Sequence, residues 1–213
     1  MLKVAIAGEN PHYDMQVYGA VLSLVLQQKV EVWNDHGYRF SGWKSVLHHA
    51  PLFLKDAAGH GIQRALLAID NDGGSRRRLE HQPSHVSNQQ ARNVEDGCAE
   101  CLLEESIPEN WKHPPLYCCI AVPVQTLETW LLVVSGHPFK ESSPEKRYSR
   151  PVLKKDLFGD PHLPQEKRLE KALDVLKRPD ALERLRQRPS FQRFEARLAG
   201  WKMPTDPEER ASS

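Results

Sequence analysis

The chain has 213 residues, 39% of them apolar and 27% charged, with 29 Lys+Arg against 28 Asp+Glu and a mean hydropathy of −0.59. That is enough chain for one α/β domain with a helical appendage, and no apolar run approaches the length that spans a bilayer. The opening residues lack the charged-then-apolar pattern of a secretory leader, and four cysteines in a chain of this size do not make a secreted disulfide scaffold. The expected location is the cytoplasm, with no membrane among the partners.

The charge is unevenly spread. Residues 1–139 hold 11 basic and 15 acidic side chains, residues 140–202 hold 17 and 10, and residues 203–213 hold 1 and 3. An acidic part beside a basic part suits metal binding next to a polyanion, although solvated helical surfaces carry such charge as well. The expected organisation is a metal-binding domain over 1–139, a basic helical region over 140–202 packed on it, and a disordered tail over 203–213.

Leu2 to Ala7 forms a first strand, which ends at Gly8-Glu9-Asn10-Pro11 and leaves Glu9 at its C-terminal end. Asp14 suits a helix cap. Val17, Ala20, Val21, Leu24 and Val25 recur at helical spacing, predicting a helix to about Gln28. Val30 to Trp33 is a short second strand, and residues 42 to 58 suit a helix that Pro51 kinks or bounds. Ala65 to Ile69, five apolar residues in a row, predict a strand buried on both faces. The order β-α-β-α-β argues for a parallel sheet, in which Glu9 and the Asp70-Asn-Asp72 pair emerge at one edge. Open α/β sheets bind ligands at that edge. Asp70 and Asp72, one residue apart and followed by Gly73 and Gly74, suit a shared divalent cation; the same residues are also good turn chemistry.

Ser75-Arg76-Arg77-Arg78 follows, a candidate phosphate contact or a solvent-exposed basic turn. His81-x3-His85 and Cys98-x2-Cys101 are then separated by twelve residues. The spacing suits a structural zinc site with its pairs in reversed order, pinning an insertion over 75–113. Cys98 to Glu105 equally suits a helix with two half-buried cysteines.

Leu116 to Val122 is a further buried strand; Cys118 and Cys119 point to opposite faces of it and belong to the core. Thr126 suits the cap of a helix from Leu127 to Val134. Glu128, in its first turn, is a candidate ligand or general base, or a glutamate placed to favour the helix dipole. Trp130, Leu131 and Leu132 are core. Beyond a long polar loop, one short element covers Val152 to Phe158. Amphipathic helices cover 165–176 and 180–200, the last interrupted at Arg188-Pro-Ser190, with Ser190 as cap and Phe191 and Phe194 facing inward. No P-loop is present, which excludes ATP hydrolysis by that mechanism.

Gly8-Glu9-Asn10 after the first strand and Ile69-Asp70-Asn71-Asp72 after a later one resemble the Toprim domain, the topoisomerase–primase fold also used by OLD-type nucleases. Ala121 to Leu132, with its Glu-Thr-Trp-Leu-Leu, Val152-Leu-Lys-Lys155, and Arg188-Pro-Ser-Phe-Gln-Arg-Phe194 also resemble a family of small stand-alone Toprim-like proteins of unassigned function. The first motif departs from the family in having Pro11-His12-Tyr13 before the helix, with Asp14 standing in for a polar residue. The His81–Cys101 insertion is not a general Toprim feature.

The resemblance implies an α/β fold: a Toprim-like sheet with parallel core strands, helices on both faces and a C-terminal helical extension. It implies one or two Mg²⁺ or Mn²⁺ ions on Glu9, Asp70 and Asp72, with Glu128 as a further ligand or base. Lys154 or Lys155 would act on the scissile phosphate, and Arg76, Arg77 and Arg78 on the nucleic-acid backbone. The implied activity is phosphodiester hydrolysis of DNA or RNA, in bacterial phage defence alongside a separate ATPase; a second copy of the chain, in a homo-oligomer, is a further expected partner. The alternatives are a non-catalytic adaptor on the same scaffold and primase-like nucleotidyl transfer.

Overall fold

The computed structural model describes residues 1–33, 38, 40–71, 99–108, 116–124, 126–137 and 150–201. Four strands, β1 (Leu2–Ala7), β2 (Val30–Trp33), β3 (Arg64–Ala68) and β4 (Tyr117–Ala121), form one sheet in the order β2-β1-β3-β4. All three pairings are parallel, with Leu2 opposite Val30, Ala5 opposite Ala65, and Ala65 opposite Cys118. Every residue of β3 is buried, as its uninterrupted apolar run requires of a central parallel strand.

Alternation along the strands sorts the core into two layers. Val4 and Ile6 of β1, Leu66 and Ala68 of β3, and Cys119 of β4 pack on one side with α1 (Pro11–Leu26) and α4 (Leu127–Ser135). Ala5, Ala7, Ala65, Leu67 and Ile120 face the other side, against α2 (Trp43–Gly59) and α3 (Ala99–Glu105). Pro51 lies inside α2 and does not end it. Cys119 is 2% exposed, and burial pushes its thiol up to about 12; Cys118 belongs to the opposite layer. The fold class expected from the sequence is the one observed: a parallel sheet, helices on both faces, and helices at the C-terminal end. Among the described residues no helix is long and apolar enough to cross a membrane.

The C-terminal part consists of α5 (Arg150–Phe158), α6 (Gln165–Leu176), α7 (Ala181–Leu185), α8 (Pro189–Arg197) and a 3-10 turn, Leu198–Trp201. Phe158, Ala172, Leu185, Phe191, Phe194 and Trp201 join the same layer as α1 and α4. Trp130 of α4 is its centre: Tyr18 (6.2 Å), Phe191 (5.1 Å) and Phe194 (5.6 Å) lie around its ring. The sequence suggests Ser190 as a cap, but the N-cap of α8 is Arg188. Ser190 is 2% exposed, and its hydroxyl instead accepts the Trp130 indole N–H at 2.9 Å. Ser190→Ala leaves that N–H buried without its acceptor, so urea unfolding should read a loss of about 1–2 kcal/mol, the usual cost of an orphaned buried donor.

Candidate functional site

The sheet order places a topological switch point between β1 and β3. The chain leaves β1 through α1 toward β2 on one side, and leaves β3 through α3 toward β4 on the other. The crevice beyond the C-terminal ends of two such strands is where this class of sheet receives ligands. Glu9 follows β1 and Asp70 follows β3, one on each side of that crevice.

Both are held by backbone. The Asp70 N–H donates to Glu9 Oε1 at 2.8 Å, a bond that crosses 61 residues of sequence. The Glu9 carbonyl accepts from the N–H of Gly42, the residue preceding α2. The β3–β4 ladder continues past the strands, through Ile69 N–H to Ala121 O at 3.2 Å and Asn71 N–H to Pro123 O at 3.0 Å. Asp70 therefore sits on an extended, doubly anchored segment.

The cap of α4 differs from the expected one. Thr126 occupies the N-cap position without a side-chain capping bond, and its Oγ1, fully buried, has no partner. Asp70 supplies the cap from outside: the Leu127 N–H donates to Asp70 Oδ1 at 3.1 Å. That bond brings the first turn of α4, and with it Glu128, to the strand ends. Glu128 is 6% exposed and faces Lys154 Nζ of α5 at 3.8 Å. Lys155 is exposed and lies ~100° further round the helix.

The start of α1 also differs from expectation. Its N-cap is Asn10, with Pro11 at the first helical position. Asn10 Oδ1 accepts the Tyr13 N–H at 3.4 Å, and Asp14 Oδ2 accepts the Asn10 N–H at 2.8 Å, a reciprocal cap in which Asp14 is the second partner. Asp14 presses on the strand exit so closely that a Cβ at Gly8 would stand 2.6 Å from its Cβ. Glycine is required at Gly8 for that approach.

Four carboxylates thus gather at this edge, and two buried phenols report their combined field. Burial is the main force pushing the Tyr18 phenol up, followed by the charges of Asp70, Asp14, Glu9 and Glu128. Tyr13 is raised first by burial, then by Glu128 and Asp14, with Arg168 of α6 opposing and Asp70 adding to the rise.

The donors at this edge are oxygens: the carboxylates of Glu9, Asp70 and Glu128, and the buried Asn71 Oδ1 and Thr126 Oγ1, which lack hydrogen-bond partners. Hard oxygen donors fit Mg²⁺ or Mn²⁺. Among the described residues, however, no three His, Cys, Asp or Glu side chains are gathered closely enough to hold one ion. Asp72, expected as the third carboxylate, lies outside the described residues, as do Arg76, Arg77, Arg78, His81, His85 and Cys98. Cys101, the remaining residue of the expected zinc set, is half-buried on α3. Tyr13, Asn71 and Arg168 were not legible as site residues, because nothing local in the sequence separates them from an ordinary helix start, turn residue or surface cation.

No protein-family model matches the chain, and comparison with curated proteins and with solved structures gives no significant match.

Proposed function

We propose that the chain is a Toprim-like, metal-dependent nuclease that hydrolyses phosphodiesters in DNA or RNA. The observation that carries this reading is the Glu9–Asp70 hydrogen bond across the β1/β3 switch point, with Glu128 brought alongside through the Asp70–Leu127 cap. In this reading Glu9, Asp70 and Asp72 hold the cation, Mg²⁺ or Mn²⁺, and Glu128 is a further ligand or the base. The bound cation would supply Lewis-acid polarisation of the phosphoryl group and a more acidic attacking water.

The chain's own groups do the rest. The switch-point crevice orients the backbone phosphate between the ends of β1 and β3. Glu128, largely withdrawn from solvent, accepts the proton of the attacking water. Lys154, 3.8 Å from Glu128, offsets negative charge as it builds on the phosphoryl oxygens. Arg76, Arg77 and Arg78 and the basic C-terminal helices hold the nucleic-acid backbone. A role in phage defence with a separate ATPase, as more than one copy of the chain, extends the same reading by analogy of fold.

The test incubates purified full-length protein with single- and double-stranded DNA and RNA, with Mg²⁺ or Mn²⁺ and with EDTA. Cleavage that requires the metal is expected. Intact substrates in every metal-replete reaction would remove the enzyme reading and leave the adaptor reading in its place. Nucleotide incorporation from added triphosphates would favour the transferase. Elemental analysis of the same sample reads the zinc proposal on His81, His85, Cys98 and Cys101.

A further inference from the structure

Helix α6 packs alongside α1. Its first residue, Gln165, donates through Nε2 to Asn10 Oδ1, the cap of α1, at 3.4 Å. Further along, Leu173 of α6 shares a groove with Gln16, Gly19, Ala20 and Ser23 of α1. Arg168, one turn after Gln165, shares its helix face and falls level with Tyr13, one turn after Asn10. The two lie within electrostatic reach of each other beside the carboxylate edge, where Phe158 of α5 packs edge-on against the Tyr13 ring at 6.4 Å.

Both carry buried polar atoms with nothing to bind. Tyr13 is 5% exposed, and its hydroxyl has no hydrogen-bond partner. Arg168 Nε is likewise buried without a partner, and among the described residues the guanidinium makes no ion pair. A phenol among carboxylates would ordinarily donate to one of them, and an arginine beside an acidic edge would ordinarily pair with one. A buried donor left without a partner forfeits its hydration, so a molecule that supplies the missing acceptor gains what the free protein lacks. Two donors of this type, one of them a planar cation, select an anion with several oxygens, and phosphate matches the guanidinium fork.

We propose that the Tyr13 hydroxyl and the Arg168 guanidinium form a phosphate-oxygen subsite on the acidic crevice, binding a non-bridging oxygen of the nucleic-acid backbone. The substrate class rests on the nuclease reading above. The two are positioning residues: they fix the register of the backbone beside Glu9 and Asp70 and take no part in bond breaking. The subsite also assigns a purpose to the packing of the basic C-terminal part on α1. Through α5 and α6 it contributes Lys154 and Arg168 to an edge that residues 1–139 would otherwise leave acidic.

The test is equilibrium binding of short fluorescein-labelled single-stranded DNA and RNA, in EDTA, by anisotropy across a potassium chloride series. Arg168→Gln should weaken binding about tenfold and lower the slope of log affinity against log salt by about one, as loss of one phosphate contact does. Lys55→Gln, an equal charge change at an exposed position of α2 on the other face of the sheet, should do neither. Tyr13→Phe should weaken binding about fivefold, the worth of one hydrogen bond, with the slope and the melting temperature unchanged. Wild-type binding by both cleft variants, or no binding of either oligonucleotide by the wild type, overturns the subsite. So does a Tyr13→Phe protein that melts several degrees lower, which would make the hydroxyl structural. If the binding effects appear but metal-replete protein cuts nothing, the nuclease reading fails and the subsite stands. If the wild type cuts and the variants bind normally, the reverse holds.

Discussion

Replacing Asp70 with alanine should abolish metal-dependent cleavage and destabilise the protein, whereas asparagine should do only the first. The structural part follows from the Leu127 N–H bond to Asp70 Oδ1 at 3.1 Å. Because Thr126 makes no capping bond of its own, alanine at position 70 leaves the first turn of α4 without this acceptor and costs about 1–2 kcal/mol in urea unfolding. Asparagine keeps an acceptor at the same place and caps a helix as well as aspartate does. It also removes one of the negative charges gathered at this edge beside Glu9, Asp14 and Glu128 and so eases their mutual repulsion, and its stability without metal should match or slightly exceed the wild type's. On the proposed reading, the functional part follows from the loss of a cation ligand, which should remove several kcal/mol of transition-state stabilisation, about a hundredfold or more in rate. A thermal-shift titration with Mg²⁺ separates the two. If the chain binds the cation as proposed, saturating metal at about a hundred times its Kd should raise wild-type stability by ~2.7 kcal/mol, and Asp70→Asn should show no such rise. An Asp70→Asn protein that cuts as fast as the wild type would end the role given to Asp70.

What the sequence disclosed and what it hid divide along sequence separation. The strands were legible because a buried parallel strand writes itself as a short apolar run, as Ala65 to Ile69 does. Once β1 and β3 were found, the order of elements placed Glu9 and Asp70 at one edge. The errors came where a local rule competed with a distant partner. Thr126 reads as a good cap, but Asp70, 57 residues before the Leu127 whose N–H it accepts, takes its place. Ser190 reads as a cap and instead serves the Trp130 indole across 60 residues. Asp14 is the exception, a local misplacement: it reads as the cap of α1, while Asn10 caps the helix, Pro11 fits its first position and Asp14 accepts the Asn10 N–H from inside the first turn. Arg168 is one of 17 basic residues in its region; only the parallel course of α1 and α6 singles it out.

Among the described residues outside the hydrophobic core, Glu100 to alanine should be the most destabilising single change. Glu100 lies in the first turn of α3, a place that favours a glutamate through the helix dipole. In the fold its side chain is 4% exposed and accepts from two arginines of α8: Arg193 Nε to Oε1 at 2.7 Å and Arg197 Nη2 to Oε2 at 2.9 Å. Arg197 also reaches Glu104 Oε1 at 2.7 Å. Removing one side of a buried charge network leaves the other side desolvated and unpaired, a loss of about 3–5 kcal/mol. The value should fall near the lower bound, because both guanidinium groups are 24% exposed and Arg197 keeps Glu104. The cluster joins α3, the helix before β4, to α8, which packs through Phe191 and Phe194 around Trp130 of α4. Weakening it should loosen the frame that carries Glu128 as well as α3. Urea unfolding should show the loss with little dependence on salt, since buried pairs are poorly screened. A triple variant with Leu at Glu100 and Met at Arg193 and Arg197 should recover most of the stability, because well-packed apolar groups replace a buried ion network at little net cost. If Glu100→Ala instead unfolds within about 1 kcal/mol of the wild type, the cluster behaves as a surface ion pair does, and the coupling of α3 to α8 does not rest on charge.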